Sequence, residues 1–326
     1  MPSPNARVAL PPPPARVPAA FDDAVIWAAW LYYVDQLNQF DVATTLRVSR
    51  ATVVNLLQEA RERGVVNIRL RSDLVARTGL ARGLAARFGL AEALVIPRGG
   101  DGHLVDRLGE AAARLLGDQL RPGDVIGAAW GRTVLAAARA ISLPEPVTPL
   151  TVVQVAGSST ASEDFSPELC TSLLATRLCA RCVNLLAPAL LSSAELRDQL
   201  MAEPMLVHQI ELVRSATRIL FGVGDLAAAG TLRKSGYASA ETVARYVEAG
   251  ATGAIVGRFI DARGQPVPGE LDRRMVGLTL DELRAVPVRI AVAGGVGKLD
   301  AIRATLVGGH VTHLVTDADT AGTLLR

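Results

Sequence analysis

Residues Asp41–Arg63, DVATTLRVSRATVVNLLQEARER, read as two short helices joined by a tight turn. Val42, Ala43 and Leu46 make one short apolar stripe, and Arg47-Val48 supply the turn. Ser49 is placed to cap a second helix whose apolar face is Val53, Leu56, Leu57 and Ala60, close to the spacing of a helix with one buried side. Arg50, Thr52 and Asn55 are left on the outward face near the helix N-terminus, the end a recognition helix presents to base edges. With Arg47 and Ser49 they form the candidate DNA-contacting set. The stretch is thus expected to be the last two helices of a helix-turn-helix.

Composition agrees with a globular chain of more than one domain. Of 326 residues half are hydrophobic and a fifth charged, and no apolar run approaches the ~18 residues of a membrane span. Residues 1–20, with Pro11 to Pro14 and many alanines, lack the charged-then-apolar order of a leader and are expected to be a disordered tail. Residues 21–71 would be the DNA-binding domain and 72–326 an effector-binding and oligomerisation domain. The expected location is the cytoplasm.

A net charge of +2 says little alone, but its distribution says more. Between Arg47 and Arg71 six arginines face only Glu59 and Glu62, a local excess suited to phosphate contacts, although a solvated surface helix could look similar. Lysine occurs only at 234 and 298. A lysine kept in so arginine-rich a chain hints at a need for a compact ammonium. Cys170, Cys179 and Cys182 lack further ligands at zinc spacing and are expected to be buried thiols.

A first helix is expected over 22–37, with Ile26, Trp27, Trp30, Leu31, Val34 and Leu37 inward, and a short strand or wing over Val65–Leu70. From residue 72 onward helices alternate with strands, among them Ala93–Ile96, Asp124–Ala128, Leu150–Val155, Arg218–Val223, Ala254–Arg258, Val288–Ala293 and His313–Thr316. Runs such as Arg289-Ile290-Ala291-Val292-Ala293 are mostly apolar, as strands covered on both faces must be. The expected fold is α/β: a helix-turn-helix followed by a Rossmann-like domain with a mainly parallel sheet.

In such a sheet ligands bind beyond the carboxyl ends of the strands. Four glycine-rich turns stand there: Trp130-Gly131-Arg132-Thr133, Gly157-Ser158-Ser159-Thr160 after Gln154, Gly222-Val223-Gly224-Asp225, and Gly294-Gly295-Val296-Gly297-Lys298. Each alone is often no more than a turn. Together, with Arg132, Thr133, Lys298 and helix N-termini, they favour a phosphorylated or carboxylated small molecule. Gly222-x-Gly224-x-x-Ala227 looks like a dinucleotide fingerprint but comes late in its domain, so no nicotinamide cofactor is expected. His310 and His313 flank a strand start on opposite faces, which disfavours a shared metal. Asp225 and Asp261 could form a carboxylate pair, bind hydroxyls or cap helices. No nucleophile elbow, Cys–His arrangement or metal motif is evident, and no cofactor is implied.

Taken together, these residues resemble the SorC (DeoR-like) family of bacterial transcriptional regulators over 24–326. The resemblance lies in Ala28–Val34, Val48–Val53, Arg61–Ile68, Gly123–Gly127 with Trp130–Thr133, Ala187-Pro188, Gly222–Leu226, Ala293–Gly295 with Lys298, Ala301-Ile302, Thr316-Asp317 and Thr320-Ala321. It implies a sensor domain similar to sugar-phosphate isomerases and deaminases, an effector that is a sugar, polyol or sugar phosphate, operator DNA as partner, and a homo-oligomer, tetramer or dimer. By the same resemblance Gly131, Arg132, Thr133 and Lys298 would hold the anionic end, with Gln154 and Asp225 near the hydroxylated part. Gly157, Gly294 and Gly295 complete the candidate effector set. The chain departs from the family at Asn55, often a long polar residue, and at Ala254, often acidic. Two other readings stand beside the regulator: a sugar-phosphate isomerase or deaminase with an accessory helical domain, and a helical domain used for oligomerisation alone.

Overall fold

Asn38 and Ser49, the short polar residues before the two quoted helices, start them as helix caps should. The computed structural model describes residues 16–68, 79–97, 104–159, 165–227 and 237–326, in two compact units, Met1–Leu70 and Arg71–Arg326. In the first unit α2 (Gln39–Leu46) begins where the Asn38 side chain accepts the Phe40 and Asp41 N–H groups at 2.9 and 3.1 Å. Arg47, left-handed at φ 53°, ends α2 and turns the chain. Ser49 Oγ accepts the Thr52 N–H at 3.1 Å and opens α3 (Arg50–Glu62). Such caps satisfy helix-end donors that lack intrahelical partners. Val42, Ala43, Leu46, Val53 and Leu57 then bury against Trp27, Ala28 and Leu31.

The first helix departs from expectation. α1 spans Ala24–Ala29, capped by Asp23, and continues as a π-helical turn over Trp30–Val34. A π turn takes more residues per revolution, so the apolar stripe loses phase with the core. Trp30 and Val34, expected inward, are 48% and 54% exposed, while Val25, Ala28 and Ala29 are buried. No strand forms over 65–68; the rest of the expected wing and the first residues of the expected second domain, 72–78, lie outside the described residues, as do residues 1–15 of the expected tail. Val17 packs against the helical core.

The second unit begins with α4 (Gly79–Phe88), β1 (Glu92–Ile96), α5 (Leu104–Gln119), β2 (Val125–Ala128), α6 (Arg132–Ala140), β3 (Thr151–Gln154), α7 (Pro167–Arg177) and β4 (Arg181–Val183). α8 (Ala194–Met201) and α9 (Pro204–Arg214) lead to β5 (Arg218–Gly224). After α10 (Ala240–Glu248), β6 (Ala251–Ile255) and β7 (Arg258–Asp261) form a hairpin where the sequence suggested one strand. α11 (Glu270–Arg274), α12 (Leu280–Ala285), β8 (Val288–Val292), α13 (Leu299–Val307), β9 (His313–Asp317) and α14 (Ala318–Leu325) complete it.

The main sheet runs β1-β9-β8-β5-β2-β3-β4, every pair parallel. β6 pairs antiparallel with the end of β5, Val223 opposite Ile255 and Gly224 opposite Ala254. From β2 the chain steps outward through β3 and β4; from β5 it steps the other way through β8 and β9. The strand order therefore reverses between β2 and β5, the place where open α/β sheets hold ligands. α5, α6 and α7 pack side by side, and α4, α14 and α13 form a second group.

At the opposite strand ends, a buried ion pair ties β5 to β2. The Arg218 guanidinium pairs with Asp124, and its Nε donates to the Gln119 carbonyl at 2.8 Å. Asp124 also accepts from the Thr217 hydroxyl at 2.8 Å and the Arg121 N–H at 2.6 Å. Burial pulls the Arg218 guanidinium below its ordinary pKa, and Asp124 opposes that shift. Both histidines of the H-x-x-H are buried. His310 Nε2 lies 2.7 Å from the Gly264 carbonyl, so it carries the proton; Nδ1 has no partner among the described residues. His313 Nδ1 sits 2.8 Å from the Thr312 hydroxyl. Cys170 is buried as expected, but Cys179 and Cys182 are exposed, because the first follows the end of α7 in a left-handed conformation and the second lies on edge strand β4.

Asp124→Ala should lower stability by about 3–5 kcal/mol, since it strands a buried guanidinium; the shift in urea midpoint of the main unfolding transition measures it. Burial lowers the pKa of His310 from its ordinary 6.5. A lowered folded-state pKa contributes stability above the unfolded value that is lost as pH falls through the folded one. His310→Gln, which can still donate to Gly264, should therefore flatten the loss of thermal stability between about pH 7 and 5.5.

Candidate functional site

Two surfaces carry the candidate residues, one on each unit. On α3, Val53, Leu57 and Ala60 point inward. Successive residues turn by about 100°, so the side diametrically opposite presents Ala51, Asn55, Gln58 and Glu62, all exposed. Asn55 therefore occupies the centre of the outward face. Arg50 lies on its flank, where Nε donates to Gln39 Oε1 at 3.2 Å. The Thr52 hydroxyl shares a hydrogen bond with Ser49 Oγ at 2.8 Å. Arg47 is exposed in the turn. Ala51 and Gln58 were missed by reading from the helix start; the 3.6-residue period contains them. Gln58 is tied to Glu62 at 2.9 Å. Arg63 is drawn away into a pair with Asp23 at 2.6 Å and does not add to the basic face.

In the second unit a cavity of about 190 Å³ opens beyond the carboxyl ends of β2, β5 and β8. Three of the four glycine-rich turns meet there: Ala129–Thr133, Gly222–Gly224, and Gly294 with Lys298. α5 contributes Leu104, Val105 and Leu108, and the β6–β7 hairpin closes the remaining side with Ala254, Val256 and Gly257. The hairpin was not read from the sequence; Ala254 was marked only through the family resemblance, and Val256 and Gly257 were missed.

Gly131, left-handed at φ 120°, caps α6 without a side chain and leaves the helix N-terminus open toward the cavity. Arg132 is exposed and has no ion pair among the described residues. Thr133 Oγ1 donates to the Val292 carbonyl at 3.2 Å, which joins α6 to β8. Lys298 Nζ donates to the Val223 carbonyl at 2.8 Å. Burial lowers the ammonium's pKa, the Asp225 carboxylate opposes this, and Arg132 adds to it. The first-turn N–H groups of α6, Arg132 and Lys298 together form an electropositive wall able to receive an anion.

The other expected residues fall elsewhere. Gln154 is fully buried at the end of β3; Nε2 donates to the Ala156 carbonyl at 2.7 Å and Oε1 has no partner among the described residues. It does not line the cavity. Gly157 packs so tightly on the Pro188–Ala189 backbone that a Cβ would come within 2.5 Å of the Pro188 carbonyl. Its turn is a packing device, and its carbonyl accepts from the Tyr237 hydroxyl at 3.1 Å. Tyr237 in turn stacks on cavity residue Trp130, ring centroids 4.5 Å apart. Asp225 is not among the lining residues, although its charge acts on Lys298, and its Oδ1 accepts the Ala227 N–H at 3.1 Å.

Asp261 does not pair with Asp225 as a catalytic couple would. Its Oδ1 accepts the N–H groups of Arg263 and Gln265 at 2.9 and 2.8 Å and organises a turn. No helix opens directly at Gly224, since residues 225–227 are irregular. Among the described residues no group of three His, Cys, Asp or Glu is placed to hold a metal.

Gly295 supports the site from behind. Its N–H donates to Asp317 Oδ2 at 2.8 Å and Thr320 Oγ1 at 2.9 Å. Asp317 also caps α14 through the Asp319 and Thr320 N–H groups, at 3.0 and 2.9 Å. These bonds hold its carboxyl below the ordinary carboxylate pKa against the opposing effect of burial.

Residues 72–326 match the family described as "Putative sugar-binding domain". The chain belongs to that family. It is 35% identical over 311 residues to the transcriptional regulator YjhU of Escherichia coli K12, covering 93% of this chain and 94% of that one. It is 32% identical over 316 residues, 95% of each chain, to the transcriptional regulator LsrR of Klebsiella pneumoniae. The deoxyribonucleoside regulator of Bacillus subtilis is 30% identical, over 92% of this chain and 96% of that one. The crystal structure of the full-length sorbitol operon regulator SorC from Klebsiella pneumoniae superposes with a TM-score of 0.75 at 28% identity, over 93% of this chain and 98% of that one. The protein is a SorC-type transcriptional regulator and not an enzyme. No helix among the described residues is long and apolar enough to cross a membrane.

Asp317→Asn places an amide NH₂ or a single oxygen where the carboxylate serves four donors. It should cost about 1–3 kcal/mol, read as a lower Tm.

Proposed function

We propose that the chain binds operator DNA through the outward face of α3 and releases or tightens that grip when an anionic sugar, polyol or sugar phosphate enters the cavity. The observation that carries this reading is the meeting of three glycine-rich turns, an open helix N-terminus, Arg132 and Lys298 at the reversal point of the sheet, in a chain that also holds a capped helix-turn-helix. Residues 21–71 are the DNA-binding domain and 72–326 the sensor. Asn55, at the centre of the outward face, suits bidentate contact with adenine, while Arg47, Ser49, Arg50 and Thr52 lie where phosphates flank the groove. Gly131, Arg132, Thr133, Gly294 and Lys298 meet the anion; Gly295 and Asp225 position that wall. Gly157 acts through the Tyr237 hydroxyl, which its carbonyl holds beside Trp130, and Gln154 through its hold on the Ala156 carbonyl immediately before Gly157. The name of one solved relative, a sorbitol operon regulator, supports a sugar-linked operon as the target; on this reading the protein acts in the cytoplasm as a homo-oligomer, dimer or tetramer. An effector must bind one arrangement of the oligomer better than the other, because equal affinity shifts nothing.

Fluorescence anisotropy on tiled DNA from upstream of the protein's own gene should find one tile bound tightly, with affinity falling steeply as salt rises. Arg50→Ala should weaken every tile alike and reduce the salt slope by about one, whereas Asn55→Ala should lose about 1–3 kcal/mol of discrimination at one base pair. Uniform, salt-insensitive binding would overturn the assignment of this face. Arg132→Ala should keep the operator affinity of the free protein and lose the response to effector; an unchanged response would remove Arg132 from the site.

A further inference from the structure

The cavity that serves as effector site in the reading above is unlike a polyol site in the chemistry of its walls. Leu104, Leu108, Trp130, Val223, Ala254 and Val256 supply hydrocarbon and indole surface. Its polar side chains are Arg132, Thr133 and Lys298. Two of these only donate hydrogen bonds. The third, the Thr133 hydroxyl, directs its proton to the Val292 carbonyl and so offers an incoming hydroxyl only its lone pairs, the one side-chain acceptor among the described lining residues. Among the described residues the lining thus holds no carboxylate and no side-chain amide.

Every hydroxyl of a bound polyol brings a proton that needs an acceptor. A buried hydroxyl left unpaired costs about 1–3 kcal/mol, and carbohydrate oxygens are normally met by groups that both give and take hydrogen bonds. Ala254 sits where such an acceptor could stand. It is 3% exposed and fixed in the hairpin opposite Gly224, so the apolar patch there is part of the sheet and not a mobile side chain. One face of Trp130 is likewise held flat by Tyr237.

We infer that the effector is a deoxygenated sugar acid or sugar phosphate: an anionic head received by Arg132, Lys298 and the start of α6, on a carbon body with few hydroxyls packed against Trp130, Ala254 and Val256. This rests on the cavity being the effector site, and it narrows the ligand class of that site. Carboxylate and phosphate heads share the chemistry the wall offers.

Calorimetric titration of the full chain with two matched pairs separates the possibilities. The first pair is n-butyl phosphate and erythritol 4-phosphate; the second is pentanoate and ribonate. The expected result is that the member without hydroxyls binds about tenfold or more tightly in at least one pair, with the more negative heat-capacity change that apolar burial produces, and that Arg132→Ala abolishes both. The pair showing the difference identifies the head group. Ala254→Ser and Ala254→Asp, which introduce an acceptor, should narrow or reverse the preference; the serine variant serves if the aspartate disturbs folding. If the hydroxylated members bind as tightly or more tightly, and still depend on Arg132, the inference is overturned while the effector site stands. If no member of either pair binds the wild-type chain, both fall together.

Discussion

The reversal of strand order between β2 and β5 is the constraint on which the sensor unit depends. The chain leaves β2 toward β3 and leaves β5 toward β8, so the segments beyond these neighbouring strands diverge and leave a crevice. Glycine keeps it open. A Cβ at Gly222 would press on the Thr133 hydroxyl at 3.2 Å, and one at Gly257, whose φ is +81°, would collide with Met275. The apolar strands supply the stability that tolerates an unfilled space at their ends, with side chains such as Ile126, Ile219 and Ile290 fully buried, each contributing about 1.5–3 kcal/mol.

The electrostatics of the crevice follow from that geometry. Lys298 and Arg132 come together near a helix N-terminus, three positive features in one place, and Asp225 answers only part of their charge. Desolvation already weakens the ammonium, so an arriving anion would recover interaction energy that water no longer provides. Asp317 keeps the arrangement rigid by holding Gly295 and the first turn of α14 with one carboxylate. At the opposite end of the same strands, Arg218 and Asp124 make the complementary clamp on β2 and β5.

The DNA-binding unit solves a different problem, that of a small core. The helices described in it bury few large side chains, so helix ends matter more: Asp23, Asn38 and Ser49 each satisfy N–H groups that the short helices cannot. Phe21 adds to this by packing on Trp27 and Trp30, with ring centroids 6.4 and 5.9 Å away. Trp30 is consequently neither core nor free surface, which the simple apolar stripe could not express.

Much of this was legible in the sequence because it is local. Caps at Ser49 and Asn38 need only the next three residues; a buried parallel strand such as Val288–Val292 shows as an apolar run; the glycine turns mark strand ends. What the tertiary structure decided is non-local. The phase slip of the π turn exposes Trp30 and Val34. The Cys182 thiol is exposed because β4 became an edge strand, and Gly157 serves packing because Pro188 lies against it. The antiparallel return of β6 onto β5 brings Ala254, Val256 and Gly257 to a cavity whose other walls come from positions 104 to 298. Sequence periodicity reports which side of an element is apolar; only the packed chain determines which distant element that side meets.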